Sequence, residues 1–370
     1  MELPRKAPEQ VGINEDKLKR AFGLLEGEVK KERIPGATTI VGRYNQIVGT
    51  YFTGDSLIED TVRHPVNLDT IYDCASLTKV VATLPLILTL VEKGYLDLNE
   101  PVSTYLSEFE KGKKAFITIR HLLTHTSGMK SFVSGQFKGW TPGEIKQYIY
   151  VQELEYEPGA QVVYSDLGFI VLGEIASVIL GESLDQAVTK YIFNPLGMEE
   201  SQFNPPAHLK KRIAATEFRE NLGRHQQGEV HDERASALGG VSGHAGLFST
   251  VNDLAKYASM WLNKGRNAQG GSILSPLTIE ASLKNYTAPL DGNRGLGWVL
   301  RNDSFDAAGD FFSASSFGHT GFTGTSIWMD PESDLFVVLL TNRVHFGRGK
   351  SIARLRRIFH NAVASSIEKV

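Results

Sequence analysis

The sequence predicts an α+β protein in which one antiparallel sheet flanked by helices carries a large all-helical domain inserted into it. Three observations support this. Strand-like segments lie near both ends of the chain, the middle is almost wholly helical in pattern, and the late strand-like segments follow one another through short turns. The chain has 370 residues, 41 % hydrophobic and 22 % charged, enough for one large domain or two ordinary ones. No linker-like stretch, fixed-period repeat or low-complexity tract divides it. The expected domains are therefore interleaved: residues 1–77 with 265–370 form the sheet domain, 78–264 the helical domain, and the cleft between them is the place for a site.

Asn14 to Arg33 opens on a capping asparagine and sets Leu18, Phe22, Leu25 and Val29 at three- and four-residue steps, which predicts a helix with one apolar stripe. After Pro35 and Gly36 the pattern changes. Ala37–Tyr44 and Gln46–Thr53, rich in Val, Ile, Thr and Tyr and joined by a polar turn at Asn45, predict a hairpin. Helices follow over Thr78–Lys93, Thr118–Leu123, Thr141–Gln152, Asp166–Leu180, Ser183–Ile192 and Asn252–Asn263, punctuated by Gly and Pro. Strand character returns at Gly295–Leu300, Ser316–Thr320, Gly324–Asp330 and Leu335–Thr341, and an amphipathic helix from about Lys350 to Glu368 closes the chain.

Composition narrows the function. Lys plus Arg is 39 against 42 Asp plus Glu, a net charge of -3, so no excess of positive charge is available to follow a nucleic-acid backbone or an anionic membrane. Cys74 is the only cysteine, which excludes an intrachain disulfide and a Cys-rich metal site. The amino terminus lacks the apolar stretch of a signal peptide. The longest uncharged apolar run, Val80–Val91, is interrupted by Pro85 and too short to span a bilayer, so it predicts a buried helix. A cytoplasmic location is expected if Met1 is the native start, and an exported one if a leader precedes it. A monomer without a cofactor is the default expectation.

Ser76-Leu77-Thr78-Lys79 opens the most apolar helix, and one helical turn puts Ser76 and Lys79 on the same face. A serine hydroxyl needs a base within hydrogen-bond reach, and a lysine can be that base when burial and neighbouring positive charge lower its pKa. Free N–H groups at the helix start suit the charge that develops in acyl transfer. Alone, the spacing is equally that of a capping serine beside a solvated lysine. Its company decides: Tyr164-Ser165-Asp166 precedes a helix, and His319-Thr320-Gly321 closes a strand.

With these three elements in order, the chain resembles the serine β-lactamase and penicillin-binding protein superfamily, in particular the branch of class C β-lactamases, D-amino acid peptidases and related esterases. Leu122-Leu123-Thr124-His125-Thr126-Ser127-Gly128, Pro195-Leu196-Gly197-Met198 and Gly246-Leu247-Phe248-Ser249-Thr250 fit as well, so the likeness runs from about Pro35 to about Arg343. The resemblance implies a serine hydrolase acting through an acyl-enzyme on an amide or ester. Ser76 would be acylated, Lys79 would accept its proton, and Tyr164 would relay a proton to the leaving group. His319, Thr320 and Gly321 would line the far wall, and the backbone N–H groups of Ser76 and Phe322 would form the oxyanion hole.

Two departures from the family pattern bear on the substrate: Asp166 stands where Asn is usual, and His319 where Lys is usual. Together they predict a cleft less positive than its relatives' and efficient β-lactam hydrolysis as a secondary activity at most. The other reading of each is a helix-capping Asp166 and a simple replacement at His319. The strings Val230-His231-Asp232-Glu233, Ala237 to Gly246 and Thr341-Asn342-Arg343-Val344-His345 resemble a subgroup linked to bacterial cell-wall recycling. That likeness implies a cell-wall-derived peptide or a muramyl amide as substrate, a related small ester being the further choice, with His231, Asp232, His244 or Arg343 as contacts. The same residues also serve turn geometry and surface pairing.

Two rival functions remain. A metal-dependent hydrolase could draw on His225, His231, Asp232 and His244, although no His-Glu-x-x-His is present. An acylatable sensor that never turns over would share the fold. An α/β-hydrolase is excluded, because neither Ser76, Ser127 nor Ser242 is flanked by glycine on both sides in a Gly-x-Ser-x-Gly string.

Overall fold

In the computed structural model, which describes residues 2–133, 137 and 139–368, Asn14 caps α1 (Glu15–Lys30) by accepting the Lys17 N–H at 2.9 Å. The hairpin follows as β1 (Gly36–Arg43) and β2 (Gln46–Glu59). Its two-residue turn, Tyr44 and Asn45, has φ of 54° and 60°, the left-handed pair whose twist matches a hairpin. β3 (Val62–Pro65) extends the edge, and β4 (Tyr72–Asp73) leads into the turn bearing Ser76. A π-type turn over Lys79–Thr83 runs into α2 (Leu84–Glu92), which is buried up to Leu90.

The middle of the chain contains α3 (Ile119–Leu123), α4 (Pro142–Tyr150), α5 (Asp166–Leu180), α6 (Leu184–Val188) and α7 (Asn194–Leu196). Beyond these lie the two-residue strands β5 (Gln202–Phe203), β6 (Phe218–Arg219) and β7 (Arg224–His225), then α8 (Glu233–Ala237), β8 (Leu247–Ser249) and α9 (Val251–Leu262). α10 (Pro276–Ser282), β9 (Val299–Leu300), β10 (Phe317–Thr320), β11 (Ser326–Asp330), β12 (Leu335–Thr341) and α11 (Ala353–Ala364) complete it.

Seven strands form one antiparallel sheet in the order β3-β2-β1-β12-β11-β10-β9, so the first and last parts of the chain meet along β1 and β12, Ala37 opposite Thr341. Alternation along β12 explains the layers. Leu335, Val337 and Leu339 join Leu18, Phe22 and Leu25 of α1 and Leu355, Phe359 and Val363 of α11. Phe336, Val338 and Leu340 face the other way, into the larger core shared with α2, α5 and α9.

Two sequence expectations shift. The helical middle is not strand-free: β4, β8 and β5 form a three-stranded sheet, with Asp73 opposite Phe248. Strands this short carry no readable period, and Gly246 to Thr250 entered the sequence reading only as a family string. The segment Gly295–Leu300 forms a strand only at Val299–Leu300. α9, before the expected boundary at 264, packs directly on β1, β11 and β12.

Candidate active site

The turn between β4 and the buried helix aims Ser76. Ala75 has φ of 45°, a conformation that costs a non-glycine residue about 1–2 kcal/mol, and its neighbours hold it there. Asp73 Oδ1 accepts the Ala75 N–H at 2.8 Å, and Oδ2 accepts the His231 N–H at 2.7 Å. Burial pushes the Asp73 carboxyl up to about 6. Thr78 Oγ1 donates to the Ala75 carbonyl at 2.6 Å and accepts the Leu247 N–H at 3.1 Å, tying the turn to β8. Cys74 is fully buried under the turn, where burial pushes its thiol pKa well up.

Lys79 is completely buried. Its Nζ lies 3.2 Å from Ser76 Oγ, 2.8 Å from Asp166 Oδ1 and 3.0 Å from the His244 carbonyl. The lowered lysine pKa expected from burial does not arise: burial alone acts in that direction, but the Asp166 carboxylate and Tyr164 outweigh it, and the pKa lies above the ordinary lysine value. Lys79 is therefore an ammonium that donates to Ser76.

Asp166 does not cap its helix; Ser165 does, accepting the Gly168 N–H at 3.3 Å. Asp166 bridges Lys79 and Arg234, whose Nη2 lies 2.7 Å from Asp166 Oδ2 and 3.0 Å from Asp232 Oδ2. Although burial opposes ionisation, Lys79, His244 and Arg234 hold Asp166 below the usual carboxylate range, and Asp232 lies further below it. Since ionised Asp232 can only accept, His244 Nε2 donates to it at 2.9 Å, while Nδ1 pairs with Ser242 Oγ at 2.8 Å.

These contacts correct three expectations. Asp166 is not a lone negative charge in the cleft: it lies between Lys79 and Arg234, and Arg294, Arg343 and Arg356 line the cavity around Ser76. His231 and His244 do not line that cavity. The rival metal site also fails on its donor set: the His231 ring turns away to Glu217 at 3.2 Å, and the group that does converge, Asp166, Asp232 and His244, is already balanced by Lys79 and Arg234.

On the opposite wall, Gly321 is required by close approach. A Cβ there would lie 2.5 Å from the Cys74 carbonyl oxygen and 2.1 Å from Thr325 Oγ1. This contact brings the end of β10 against the nucleophile turn, and the N–H groups of Ser76 and Phe322 have no hydrogen-bond partner among the described residues. Arg356 of α11 fixes the same strand end by donating to the Gly321 and Thr325 carbonyls at 2.9 and 2.8 Å. His319 Nδ1 donates to the Thr320 carbonyl at 2.9 Å, and burial, Lys79 and Arg294 push its pKa well down, so it is neutral.

Ser76, Tyr164, His319, Thr320, Gly321 and Phe322 thus share one cavity of about 240 Å³ with Arg294, Phe305, Arg343 and Arg356. Tyr164 packs its ring 5.0 Å from Lys79 Nζ and 4.6 Å from the His125 ring. His125 itself accepts the Ser165 N–H at 3.1 Å through Nδ1. Arg343 sits at the rim, its guanidinium 4.5 Å over the half-exposed Phe322 ring. Sequence reasoning missed Arg234, Arg294, Phe305 and Arg356. None lies in a recognisable string, and each reaches the site from a distant segment.

A serine hydroxyl held by a lysine, beside a tyrosine and two amide N–H groups without a partner among the described residues, between an antiparallel sheet and a helical layer, is the arrangement of a serine hydrolase of the β-lactamase and penicillin-binding protein type. The family model described as Beta-lactamase matches residues 22–361, and the chain belongs to that family. A "Putative D-alanyl-D-alanine carboxypeptidase" of Salmonella typhimurium (strain LT2) is 32 % identical, covering 93 % of this chain and 86 % of that protein. Among solved structures, "EstCE1, a hydrolase with promiscuous acyltransferase activity" aligns with a TM-score of 0.75 at 21 % identity, over 94 % of this chain and 99 % of that one. The class C β-lactamase from Rhodobacter sphaeroides aligns with a TM-score of 0.71 at 20 % identity, over 92 % and 97 %. These likenesses bear out the expected fold class and the serine-hydrolase reading. No single helix among the described residues is long and apolar enough to cross a membrane.

Proposed function

We propose that the protein hydrolyses an amide or ester bond in a small cell-wall-derived substrate, a D-alanyl peptide or a muramyl amide, through an acyl-enzyme on Ser76. The observation that carries this is the Ser76 hydroxyl, 3.2 Å from the Lys79 ammonium and flanked by two unpartnered amide N–H groups. Tyr164 relays the Ser76 proton towards the leaving group, its phenol oxygen accepting it as its own O–H proton is handed on, while Oγ bonds to the substrate carbonyl carbon. The carbonyl oxygen takes up the electron pair and is received by the N–H groups of Ser76 and Phe322. Collapse expels the leaving group as the amine or alcohol, which carries the proton handed on by Tyr164. Water then attacks the acyl-enzyme, giving its proton to Tyr164, and Ser76 recovers it as the acid leaves. Lys79 stays an ammonium throughout and aims Oγ.

Three features support the substrate class. The 32 % identical relative is named for a D-alanyl peptide. The cavity is short, with apolar flanks at Phe305 and Phe322 and a guanidinium at its rim, Arg343, suited to a carboxylate. Across the Phe322–His231 stack, with ring centroids 5.8 Å apart, lies an open cavity of about 660 Å³ of mixed lining, with Phe137, Leu222 and Val230 beside Arg219, Asn221 and Gln226, which suits a glycan or peptide extension.

The test is a panel on one preparation: a short-chain p-nitrophenyl ester, a chromogenic cephalosporin, a D-alanyl-D-alanine peptide and a muramyl peptide. Fastest turnover of a cell-wall peptide supports the reading. Cephalosporin turnover equal to the best of the panel sinks the substrate assignment, and a single stoichiometric burst on every member points to an acylatable sensor instead.

A further inference from the structure

We propose that Arg234 is a positioning residue for Lys79: acting through Asp166, it closes a ring of contacts that aims the ammonium at Ser76, a role that rests on the reading of Lys79 as the group that orients the serine. An ammonium has three hydrogens to donate. Two go to Asp166 Oδ1 at 2.8 Å and the His244 carbonyl at 3.0 Å, which leaves the third for Ser76 Oγ at 3.2 Å. The Tyr164 ring passes alongside, its centroid 5.0 Å from Nζ. The direction of the third hydrogen is therefore set by where the two oxygen acceptors stand.

Those two acceptors are tied to each other. Arg234 Nη2 spans Asp166 Oδ2 at 2.7 Å and Asp232 Oδ2 at 3.0 Å, and Asp232 Oδ1 accepts from His244 Nε2 at 2.9 Å. The path from Lys79 through Asp166, Arg234, Asp232 and the His244 ring thus returns to Lys79 by the carbonyl of His244 itself. Asp232 is anchored independently, because its Oδ1 also caps α8 by accepting the Arg234 and Ala235 N–H groups at 3.0 and 2.9 Å. Ser242 Oγ holds the other ring nitrogen of His244 at 2.8 Å. Charges alternate around the ring, and one donor atom each of Asp166, Asp232 and His244 lie within 4.8 Å of one another. Without the Arg234 charge, Lys79 alone among these groups would balance two carboxylates. Their mutual repulsion would displace Asp166 and carry Nζ off its line to Ser76. Arg234 does not line the cavity around Ser76, so it acts from behind the site and not on the substrate.

The test is steady-state and single-turnover hydrolysis of p-nitrophenyl acetate, a substrate with no charged group for Arg234 to bind. Arg234→Gln should lower kcat and the acylation rate by about ten- to a hundredfold with KM little changed, the scale of a small misplacement near the reacting atoms. Arg234→Lys should keep most of the activity, because a single nitrogen makes both carboxylate contacts. Adding Asp166→Asn to Arg234→Gln should recover most of the loss, since an amide at position 166 needs no counter-charge, whereas residues that act independently would give losses that multiply. Asp232→Asn keeps a capping side chain on α8 but disturbs the acceptor facing Arg234, so it too should lower kcat at constant KM, and it decides the matter if Arg234→Gln fails to fold. A folded Arg234→Gln or Asp232→Asn with wild-type kcat overturns the proposal, as does a double variant whose losses multiply. An effect confined to KM also overturns it and makes Arg234 a substrate contact. Lys79→Ala separates the two failures: full activity there defeats the orienting role of Lys79 itself, whereas an impaired Lys79→Ala beside a wild-type Arg234→Gln defeats this proposal alone.

Discussion

Lys79 shows how far one neighbour can redirect a side chain. Burial alone lowers its pKa, yet the Asp166 carboxylate at 2.8 Å raises it above the ordinary value, so in the proposed mechanism the proton-accepting role falls to Tyr164. Asp166→Asn keeps the shape and removes the largest interaction that raises the lysine. The account predicts that the alkaline limb of kcat/KM for a neutral ester then moves to lower pH; an unmoved limb would mean that Lys79 does not control it. Tyr164→Phe should lower kcat by about 10²–10⁴, the range of general-base catalysis, in single-turnover acylation. At this scale the sequence was informative where contacts are local. Ser76 and Lys79 are one turn apart, so their pairing could be read directly, and Tyr164 came through the family strings. Arg234, the second partner of Asp166, lies 68 residues away, and no spacing rule reaches that far.

Two elements meet at the proposed oxyanion position: the turn that bears Ser76, held by Asp73 and Thr78, and the end of β10, held by Arg356. Their contact leaves no room for a Cβ at Gly321. Gly321→Ala should therefore displace the Phe322 N–H and cost about 10²–10³ in kcat, with a lower Tm, the loss typical of one missing oxyanion donor. Wild-type kcat in that variant would show that the Phe322 N–H takes no part. By contrast, Ala75→Gly relaxes a left-handed residue and should raise or preserve the Tm, read by thermal melting. The long elements were legible because their apolar period is strong, as in α1, α5 and β12. The short strands β4, β5 and β8 were not, since two or three residues define no period and pairing alone makes them strands.

At the scale of the molecule, the interleaving read from strands at both ends is what joins β1 to β12 and lets the carboxy-terminal helix reach the site through Arg356. The charge reading of the cleft failed for a related reason. It compared single positions, while the field comes from arginines brought in by four separate segments. The buried histidines also set the acid response. His345 and His360 are pushed down to about 4 by burial, and His125 and His319 are pushed well below their ordinary value as well. Below about pH 6.5 the unfolded chain binds protons that these folded histidines refuse, so stability falls as pH drops. Asp73, raised to about 6, and Asp334, also raised by burial, act in the opposite direction but are outnumbered, since burial lowers His121 and His231 as well. The Tm should be lower at pH 5 than at pH 7; a constant or rising Tm would contradict this balance.

The central claim, an acyl-enzyme on Ser76 that turns over, is tested most directly by intact-protein and peptide mass spectrometry during steady hydrolysis of a p-nitrophenyl ester, alongside Ser76→Ala. The account predicts a transient acyl mass on the peptide that contains Ser76, steady product release, and loss of both in the variant. An unmodified Ser76 during turnover, or a Ser76→Ala protein that hydrolyses the ester at the wild-type rate, would contradict it.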